Sequence, residues 1–500
     1  MVLFALRATL DIKTNNKKEY KNIMNSTDLI LEKFEQVSSI PRGTKYEAGI
    51  RQWLIDWAGV RGLAFKTDAP GNLVIYVSAS NGYENRPTLI LQGHLDMVWQ
   101  QTPESTHDFT CDPIQLIRAG DWITANGTTL GADNGIAIAL MMALVEDESV
   151  SHSPLELLLT VEEELGIVGA DNIDPTLLTG KVLINLDSEE DGILTVGCAG
   201  GGSVYITLPV QWSLQTSDEI VFEIKVSGLQ GGHSGEDINK HRVNANKLIA
   251  RVLDFIQRTV DIRLSTLKGG TARNAIPRDA DAVFVCPKDE SILCREKFSE
   301  IVHILQAEHE RVEQGLSIVM NEKSGEPVRV IRHSETITGI RLLVSLPHGV
   351  VEMSAEMPGF VETSNNIGVL ELREDGLFII SNHRSSSVSR LDEITNRVES
   401  LAWLAGATTE RTKTFPPWQP NMDSLLLKNC VEIYESIRGE KPIVELSHGG
   451  LECGTISDRC GGLDTISMGP TIENPHSPDE RLYIPSIPKI WELLKAILAQ

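Results

Sequence analysis

The chain has 500 residues, of which 41% are hydrophobic and 23% are charged, and this composition excludes a fibrous or disordered protein. Its length is sufficient for two or three domains, each with a hydrophobic core of its own. Asp and Glu number 69 against 45 Lys and Arg, so the formal net charge of -24 repels polyanions and predicts that nucleic acid is not a partner.

The N-terminal segment and the cysteines indicate where the protein works. Residues 1–23 are interpreted either as a disordered extension or as a segment upstream of the true start, because helical periodicity begins only at LILEKFEQVSSI. No signal peptide is expected, and no run of roughly 18 apolar residues predicts a membrane-spanning helix. The seven cysteines are scattered without a CxxC pair, so a reducing, cytoplasmic location is expected and neither disulfides nor a thiolate zinc site.

Short apolar strands alternate with helices from Leu29 to Ala199, which is typical of a mainly parallel sheet covered on both faces. The predicted strands are NLVIYVSA, TLILQGH, LELLLTVEEE and KVLINLDSEE, and the predicted buried helix is GADNGIAIALMMALVEDE. Ligands of open α/β sheets bind beyond the carboxyl ends of the strands. Because three of the four strands end in carboxylates or a histidine, we expect the chemistry at this edge.

The pattern changes at GCAGGGS, where clean strand alternation such as EIVFEIKVSG and polar helices such as NKHRVNANKLIARVLDFIQ begin. This pattern predicts a separate α+β domain at residues 201–404. The α/β pattern returns after about Ala405. We therefore predict a catalytic α/β domain formed by residues 24–200 and 405–500, interrupted by an inserted domain.

His94 and Asp96 in GHLD lie two positions apart, so on a continuing strand both side chains point to the same side. A neutral imidazole can then bind a metal while the carboxylate fixes its orientation. By itself, the motif is common by chance and favours a hydrogen-bonded loop histidine over a metal ligand. Asp133 in LGADNGIA can likewise be an ordinary N-cap of the following helix.

Further carboxylates and a histidine could also bind a metal, because most of them follow the ends of predicted strands. The triplet Glu162, Glu163 and Glu164 concentrates negative charge that calls for a cation, although a solvated turn is the alternative. Asp187 ends the next strand and His476 lies in a proline-stiffened loop, and either is also compatible with an exposed position. Together these residues suit zinc, manganese or cobalt, and two ions could share one bridging carboxylate. A carboxylate left over in the triplet could take the proton from a metal-activated water.

The motifs LQGHLDMV, LGADNGIA, TVEEELGIVGA, INLDSEE, GGHSGEDI and NPHSPDERL occur in the order found in the M20 metallopeptidases, and the chain resembles this family from about Leu29 to its C-terminus. The motifs ARNAIPR and HGGLECG and the long inserted domain resemble those of the aminoacyl-histidine dipeptidases within it. The resemblance implies a di-metal catalytic domain and an inserted α+β lid domain.

The resemblance also implies the metal ligands. His94, Asp133 and Asp187 would bind one ion, and Asp133, Glu164 and His476 would bind the other, so that Asp133 bridges the two. The expected ions are zinc, with manganese or cobalt as alternatives. A cis peptide bond is expected after Asp133.

Two residues beside the ligands receive catalytic roles from the resemblance. Asp96 would orient His94 without binding a metal. Glu163 would be the general base and would later protonate the leaving amine. The choice of Glu163 and Glu164 from the triplet rests on this resemblance, because spacing alone does not decide it.

Four further residues are implied to contact the substrate. His233 would stabilise the oxyanion, although its glycine-rich segment alone predicts a solvated turn. Asn274 and Arg384 would hold the carbonyl and the C-terminal carboxylate of the substrate, although either could be an ordinary surface residue. Glu452 in SHGGLECG is assigned to the substrate amine, with a plain glycine-rich turn as the alternative.

The predicted function is that of a cytoplasmic di-metal dipeptidase that hydrolyses unblocked dipeptides, of the Xaa-His type and including β-alanyl-histidine. A homodimer without a nucleic-acid or membrane partner is expected. The alternatives are another M20 activity, such as an aminoacylase or a tripeptide aminopeptidase, and a metal-stabilised binding protein without catalysis. The last is disfavoured because every ligand position and Glu163 are present.

Overall fold

The computed structural model describes residues 26–355, 357–412 and 414–500. The predicted extension at residues 1–23 lies outside these residues. The described chain divides into two compact units: the first contains the residues up to Val196 with Pro420–Glu445 and Leu451–Gln500, and the second contains Gly197–Gln419 with Leu446–Gly450. The boundaries predicted at residues 200 and 404 stay a prediction about where independently folding domains begin and end.

Strands and helices are distributed along the whole described chain. The strands are β1 (Ala64–Thr67), β2 (Leu73–Val77), β3 (Leu89–His94), β4 (Leu116–Ala119), β5 (Trp122–Ala125), β6 (Leu155–Thr160), β7 (Val182–Asn185), β8 (Ile193–Cys198), β9 (Gly200–Pro209), β10 (Trp212–Leu214), β11 (Glu219–Ser227), β12 (Gly232–His233), β13 (Arg263–Gly269), β14 (Ala275–Ile276), β15 (Ala280–Pro287), β16 (Ser317–Lys323), β17 (Arg329–Ile331), β18 (Gly349–Met353), β19 (Val361–Leu372), β20 (Gly376–Ser385), β21 (Thr408–Arg411), β22 (Ile443–Ser447), β23 (Asp464–Ser467), β24 (Ile472–Glu473) and β25 (Arg481–Tyr483). The α-helices are α1 (Ser26–Ser38), α2 (Ala48–Val60), α3 (Ala132–Glu146), α4 (Val168–Asp171), α5 (Ala245–Gln257), α6 (Ser291–His309), α7 (His333–Ser345), α8 (Val388–Leu404), α9 (Leu425–Arg438), α10 (Cys453–Arg459) and α11 (Ile487–Leu498).

An eight-stranded sheet forms the centre of the first unit, with the strand order β1-β2-β6-β3-β7-β23-β8-β22. The neighbours β6, β3, β7 and β23 are parallel, whereas β2 and β1 continue the sheet in antiparallel fashion. The predicted mainly parallel α/β architecture is therefore confirmed. The parallel arrangement brings the carboxyl ends of β3, β6 and β7 to the same edge of the sheet.

Helix α3 is buried along most of its length because its sequence is apolar on every side. It packs against β3 and against α1. Helix α1 is amphipathic and contributes Ile30, Phe34 and Val37 to this core. The packing holds the N-terminus of α3 in a fixed position within the first unit.

A small antiparallel sheet of the first unit has the order β24-β25-β5-β4. Strands β24 and β25 pair through Ile472 with Leu482 and through Glu473 with Arg481. The loop between them contains His476, so pairing of β25 with β5 anchors the end of this histidine-bearing loop.

The second unit is built on an antiparallel sheet with the order β16-β11-β15-β13-β19-β20-β9-β21, in which β18 also pairs with β19. Its core includes the inward residues of these strands and of α5, and α5 packs against α6 and α7. This separate antiparallel sheet with its helices confirms the predicted α+β architecture. Among the described residues, no helix is long and apolar enough to cross a membrane.

Candidate metal centre

The ends of three parallel strands bring acidic and histidine side chains together in the first unit. His94 is the last residue of β3, Glu164 follows the end of β6, and Asp187 follows the end of β7. The buried N-terminus of α3 adds Asp133, and the loop between β24 and β25 adds His476. We call these five residues the candidate metal centre.

The Asp133 carboxylate faces both histidines. Its Oδ1 lies 3.0 Å from His94 Nε2 and its Oδ2 lies 2.9 Å from His476 Nε2. Asp187 Oδ1 is 3.5 Å from His94 Nε2, and Glu164 Oε2 is 3.1 Å from His476 Nε2. Both histidines therefore contact Asp133, and each also lies near a second carboxylate: Asp187 for His94 and Glu164 for His476. These are the two groups of residues that the sequence resemblance implies for two ions.

Asp96 lies directly behind His94. Its buried Oδ1 is 3.3 Å from His94 Nδ1, the ring nitrogen that faces away from Asp133. The same carboxylate accepts hydrogen bonds from the backbone N–H of Glu163 at 3.0 Å and of Glu164 at 3.2 Å. One side chain thus restrains both the imidazole and the backbone of the glutamate pair, although its role in orienting a bound ligand stays a prediction.

Burial and close packing displace the pKa values in this cluster. Burial opposes charging of His476, yet its hydrogen bonds to Asp133 and Glu164 raise its pKa to about 12. Burial would raise the pKa of Asp133, but hydrogen bonds from His476 and His94 lower it below the usual range. Burial raises the pKa of Glu163 well above its ordinary value. The two histidines thus favour the ionised form of Asp133, whereas burial opposes ionisation of Glu163.

The donor atoms fit divalent cations. Glu164 Oε1 is buried and has no hydrogen-bond partner, a state that is costly for a carboxylate oxygen unless a cation binds it. Nitrogen and oxygen donors from His94, Asp133 and Glu164 lie within 4.8 Å of one another. Such a donor set without thiolates suits zinc, manganese or cobalt.

Backbone geometry at the start of α3 agrees with one expectation from the resemblance. The peptide bond between Asp133 and Asn134 is cis. Asn134 donates a side-chain hydrogen bond to the carbonyl of Leu186 at 3.0 Å. This contact links the beginning of α3 to the residue before Asp187.

Three of the residues predicted to contact the substrate lie together in the second unit. His233 Nε2 is 3.3 Å from an Arg384 guanidinium nitrogen. Arg384 is 8% exposed, and its Nε has no hydrogen-bond partner. The Asn274 carbonyl accepts a hydrogen bond from Ser234 N at 2.8 Å, beside the pairing of His233 with Ala275. Their roles toward a substrate stay predictions.

Glu452 is buried at the start of α10, in the first unit, rather than in an exposed glycine-rich turn. Its Oε2 accepts hydrogen bonds from Gln92 and Thr160, each at 2.5 Å, and its Oε1 has no partner. Burial raises its pKa to about 8. Binding of a substrate amine by Glu452 stays a prediction, and the contacts with β3 and β6 were not expected from the sequence.

Two residues beside the centre received no role in the sequence interpretation. Arg42 and Glu480 are each 2% exposed and contact the backbone that precedes Asp133. Arg42 stands in an irregular PRG segment, where no periodicity indicates burial. Glu480 belongs to the motif NPHSPDERL, and its position four residues after His476 is the sequence feature that could have indicated a place beside the metal centre.

The chain belongs to peptidase family M20/M25/M40, whose model matches residues 90–500. It is 38% identical over 467 residues to the cytosol non-specific dipeptidase of Escherichia coli strain K12, covering 93% of this chain and 96% of that protein. The crystal structure of the aminoacylhistidine dipeptidase from Vibrio alginolyticus is similar, with a TM-score of 0.80, 36% identity, and coverage of 96% and 98% of the two chains.

A tripeptidase from Staphylococcus aureus subsp. aureus mu50 is similar in fold alone. Its TM-score is 0.53 at 17% identity, with coverage of 95% of this chain and 98% of the tripeptidase. The fold of this chain is therefore shared with a protein of much lower sequence identity.

Proposed function

We propose that this chain is a cytoplasmic, metal-dependent dipeptidase that hydrolyses unblocked dipeptides, including those of the Xaa-His type such as β-alanyl-histidine. The observation that carries this proposal is the Asp133 carboxylate, whose two oxygens face His94 and His476 separately. The similar proteins from Escherichia coli and Vibrio alginolyticus, both named as dipeptidases, support the substrate class. A homodimer is part of the proposal.

We infer that two divalent ions bind, zinc in the first instance and manganese or cobalt as alternatives. His94, Asp133 and Asp187 would hold one ion, and Asp133, Glu164 and His476 would hold the other. When bound, such ions lower the pKa of a water and polarise a carbonyl.

The protein side chains would supply proton transfer and orientation. Glu163 would take the proton from the attacking water and pass it to the leaving amine. Asp96 would keep the His94 ring in place through its contact with Nδ1. His233 would donate a hydrogen bond to the oxyanion, Asn274 would hold the substrate carbonyl, and Glu452 would accept the substrate amine.

A panel of substrates tests the proposed function. Free dipeptides, N-acetyl amino acids and tripeptides would be assayed after reconstitution of the metal-free protein with Zn²⁺, Mn²⁺ or Co²⁺. We expect the free dipeptides to have the highest kcat/KM. Preference for acetylated amino acids would identify an aminoacylase and preference for tripeptides an aminopeptidase, whereas metal binding without turnover of any compound would indicate a binding protein.

Arg384→Lys is expected to raise KM for dipeptides about 10-fold to 100-fold with a smaller change in kcat. The planar guanidinium matches a carboxylate with two parallel hydrogen bonds, whereas an ammonium group does not. Hydrogen bonds to charged groups contribute about 1.5–3 kcal/mol, which corresponds to this range. The measurement is steady-state kinetics with each dipeptide and its C-terminal amide.

The amide substrate is the internal control for Arg384. Since it lacks the carboxylate, its kcat/KM should differ little between the wild-type and Arg384→Lys enzymes. An equal loss on the acid and the amide would contradict carboxylate recognition by Arg384 and would instead indicate a general structural effect.

A further inference from the structure

Two buried residues of opposite charge hold the backbone at residues 130–133, immediately before the cis bond that follows Asp133. Glu480 approaches this segment with its carboxylate and Arg42 with its guanidinium, and each is 2% exposed. All of these groups belong to the first unit. Their contacts connect the segment with the two histidine-bearing parts of the candidate metal centre.

Glu480 satisfies four consecutive backbone donors. Its Oε2 accepts hydrogen bonds from the N–H groups of residues 130 and 131, at 2.7 and 2.9 Å. Its Oε1 accepts from those of residues 132 and 133, at 2.8 and 3.3 Å. The first N–H groups of a helix have no partner within the helix, and a carboxylate there is also favoured by the helix dipole. Glu480 thus caps α3 from the loop that contains His476.

Arg42 makes the corresponding contacts with carbonyl oxygens. Its Nη1 donates to the carbonyls of Leu95 at 3.1 Å and of Asp96 at 2.8 Å. Its Nη2 donates to the carbonyl of Gly131. The guanidinium thereby joins the two residues that follow His94 to the segment that precedes Asp133.

The fit around Gly131 leaves little freedom. This residue has φ 68°, and a Cβ atom there would lie 2.7 Å from Arg42 Nη2. Its carbonyl binds Arg42 while its N–H binds Glu480. A side chain at position 131 would therefore strain the backbone and displace the guanidinium.

We propose that Arg42 and Glu480 are positioning residues of the metal centre, which hold the Asp133 carboxylate between His94 and His476 by binding residues 130–133 from two sides. This inference rests on the proposed metal-dependent function. Helix stability alone requires only one local capping residue, whereas Glu480 is 347 positions away from Asp133 in the chain and four from His476. Its position therefore couples two ligand-bearing segments directly.

Glu480→Gln tests the inference because it keeps the shape of the side chain but replaces one accepting oxygen with an NH₂ group. Glu156→Gln is the matched control. Glu156 is also 2% exposed and accepts hydrogen bonds from backbone N–H groups, those of Thr179 and Gly180, but it lies in a different part of the first unit. Both full-length variants would be titrated with Zn²⁺ in the metal-free state and melted without metal.

We expect Glu480→Gln to weaken Zn²⁺ binding about 10-fold to 100-fold, as is typical when a residue supporting a metal ligand is changed. The visible absorption bands of the Co²⁺-substituted protein should shift in the same variant. Glu156→Gln should lower the melting temperature but leave the Zn²⁺ affinity and the Co²⁺ spectrum unchanged. Arg42→Lys, which loses the fork that joins two segments, should reproduce the effect of Glu480→Gln.

The possible outcomes separate the inference from the proposed function. If the wild-type protein binds two ions and Glu480→Gln and Arg42→Lys bind them equally well with unchanged Co²⁺ spectra, the positioning role is wrong and the metal-dependent function stands. Equal loss of affinity in Glu156→Gln would also contradict the positioning role, because general destabilisation would then explain it. Failure of the wild-type protein to bind divalent ions would contradict both.

Discussion

Glu163→Gln is expected to lower kcat by about two to four orders of magnitude, which is the usual contribution of a general base. The amide cannot accept the proton of the attacking water at neutral pH, yet it has nearly the same size as the carboxylate. The bound metal should be retained because Glu163 is not among the proposed ligands. The measurements are the turnover number on a free dipeptide and the metal content of the same preparation.

The glutamate triplet provides its own controls for this prediction. Glu164→Gln should lose metal affinity, since Glu164 Oε2 lies 3.1 Å from His476 Nε2 in the candidate metal centre. Glu162→Gln should retain both metal and turnover, because Glu162 has no proposed role and its backbone N–H binds Glu47. If Glu162→Gln lost turnover while Glu163→Gln did not, the assignment of the base within the triplet would be wrong.

Asp133→Asn is expected to reduce the affinity for both ions at least about 100-fold, beyond the usual effect of changing a supporting residue. Both carboxylate oxygens face a histidine, so one substitution removes a negatively charged donor from each proposed ion site. Turnover should fall to the background level for the same reason. Titration of the metal-free variant with Zn²⁺, with the number of bound ions determined separately, measures the effect.

Asp191→Asn is the matched control for Asp133→Asn. It removes the same charge from the first unit, but Asp191 pairs with Lys489 at 2.6 Å and has no proposed role in metal binding. Its ion stoichiometry and affinity should equal those of the wild-type protein. Loss of only one ion in Asp133→Asn, with the other bound at full affinity, would contradict the bridging role.

The grouping of the strand ends was predictable because it follows from simple geometry. The apolar runs that precede His94, Glu162 and Asp187 indicated buried parallel strands, and parallel strands end at one edge of a sheet. The parallel sheet is confirmed, and it explains why His94, Glu164 and Asp187 lie close together although they are far apart in the chain. This geometry does not predict which of these residues binds a metal and which acts as the base. Those assignments came from the family resemblance.

Other features depend on tertiary contacts that leave no periodic signal. Arg42 is buried because it binds three carbonyl oxygens, and its irregular surroundings in the sequence do not indicate them. Glu452 lies two residues after a pair of glycines, which suggested an accessible loop, but its carboxylate accepts hydrogen bonds from Gln92 and Thr160. A buried charged residue is specified by partners distant in sequence, so local patterns predict it poorly.

The position of His476 in the chain, far from the other proposed ligands, has a consequence for when the metal centre can assemble. His476 and Asp133 are 343 positions apart, and the segment between them includes the whole contiguous part of the second unit, Gly197–Gln419. During synthesis the proposed ligands His94, Asp133, Glu164 and Asp187 therefore leave the ribosome long before His476. The proposed ligand set is complete only once residue 476 has been synthesised, so loading of both proposed ion sites would report that the segment containing His476 has docked.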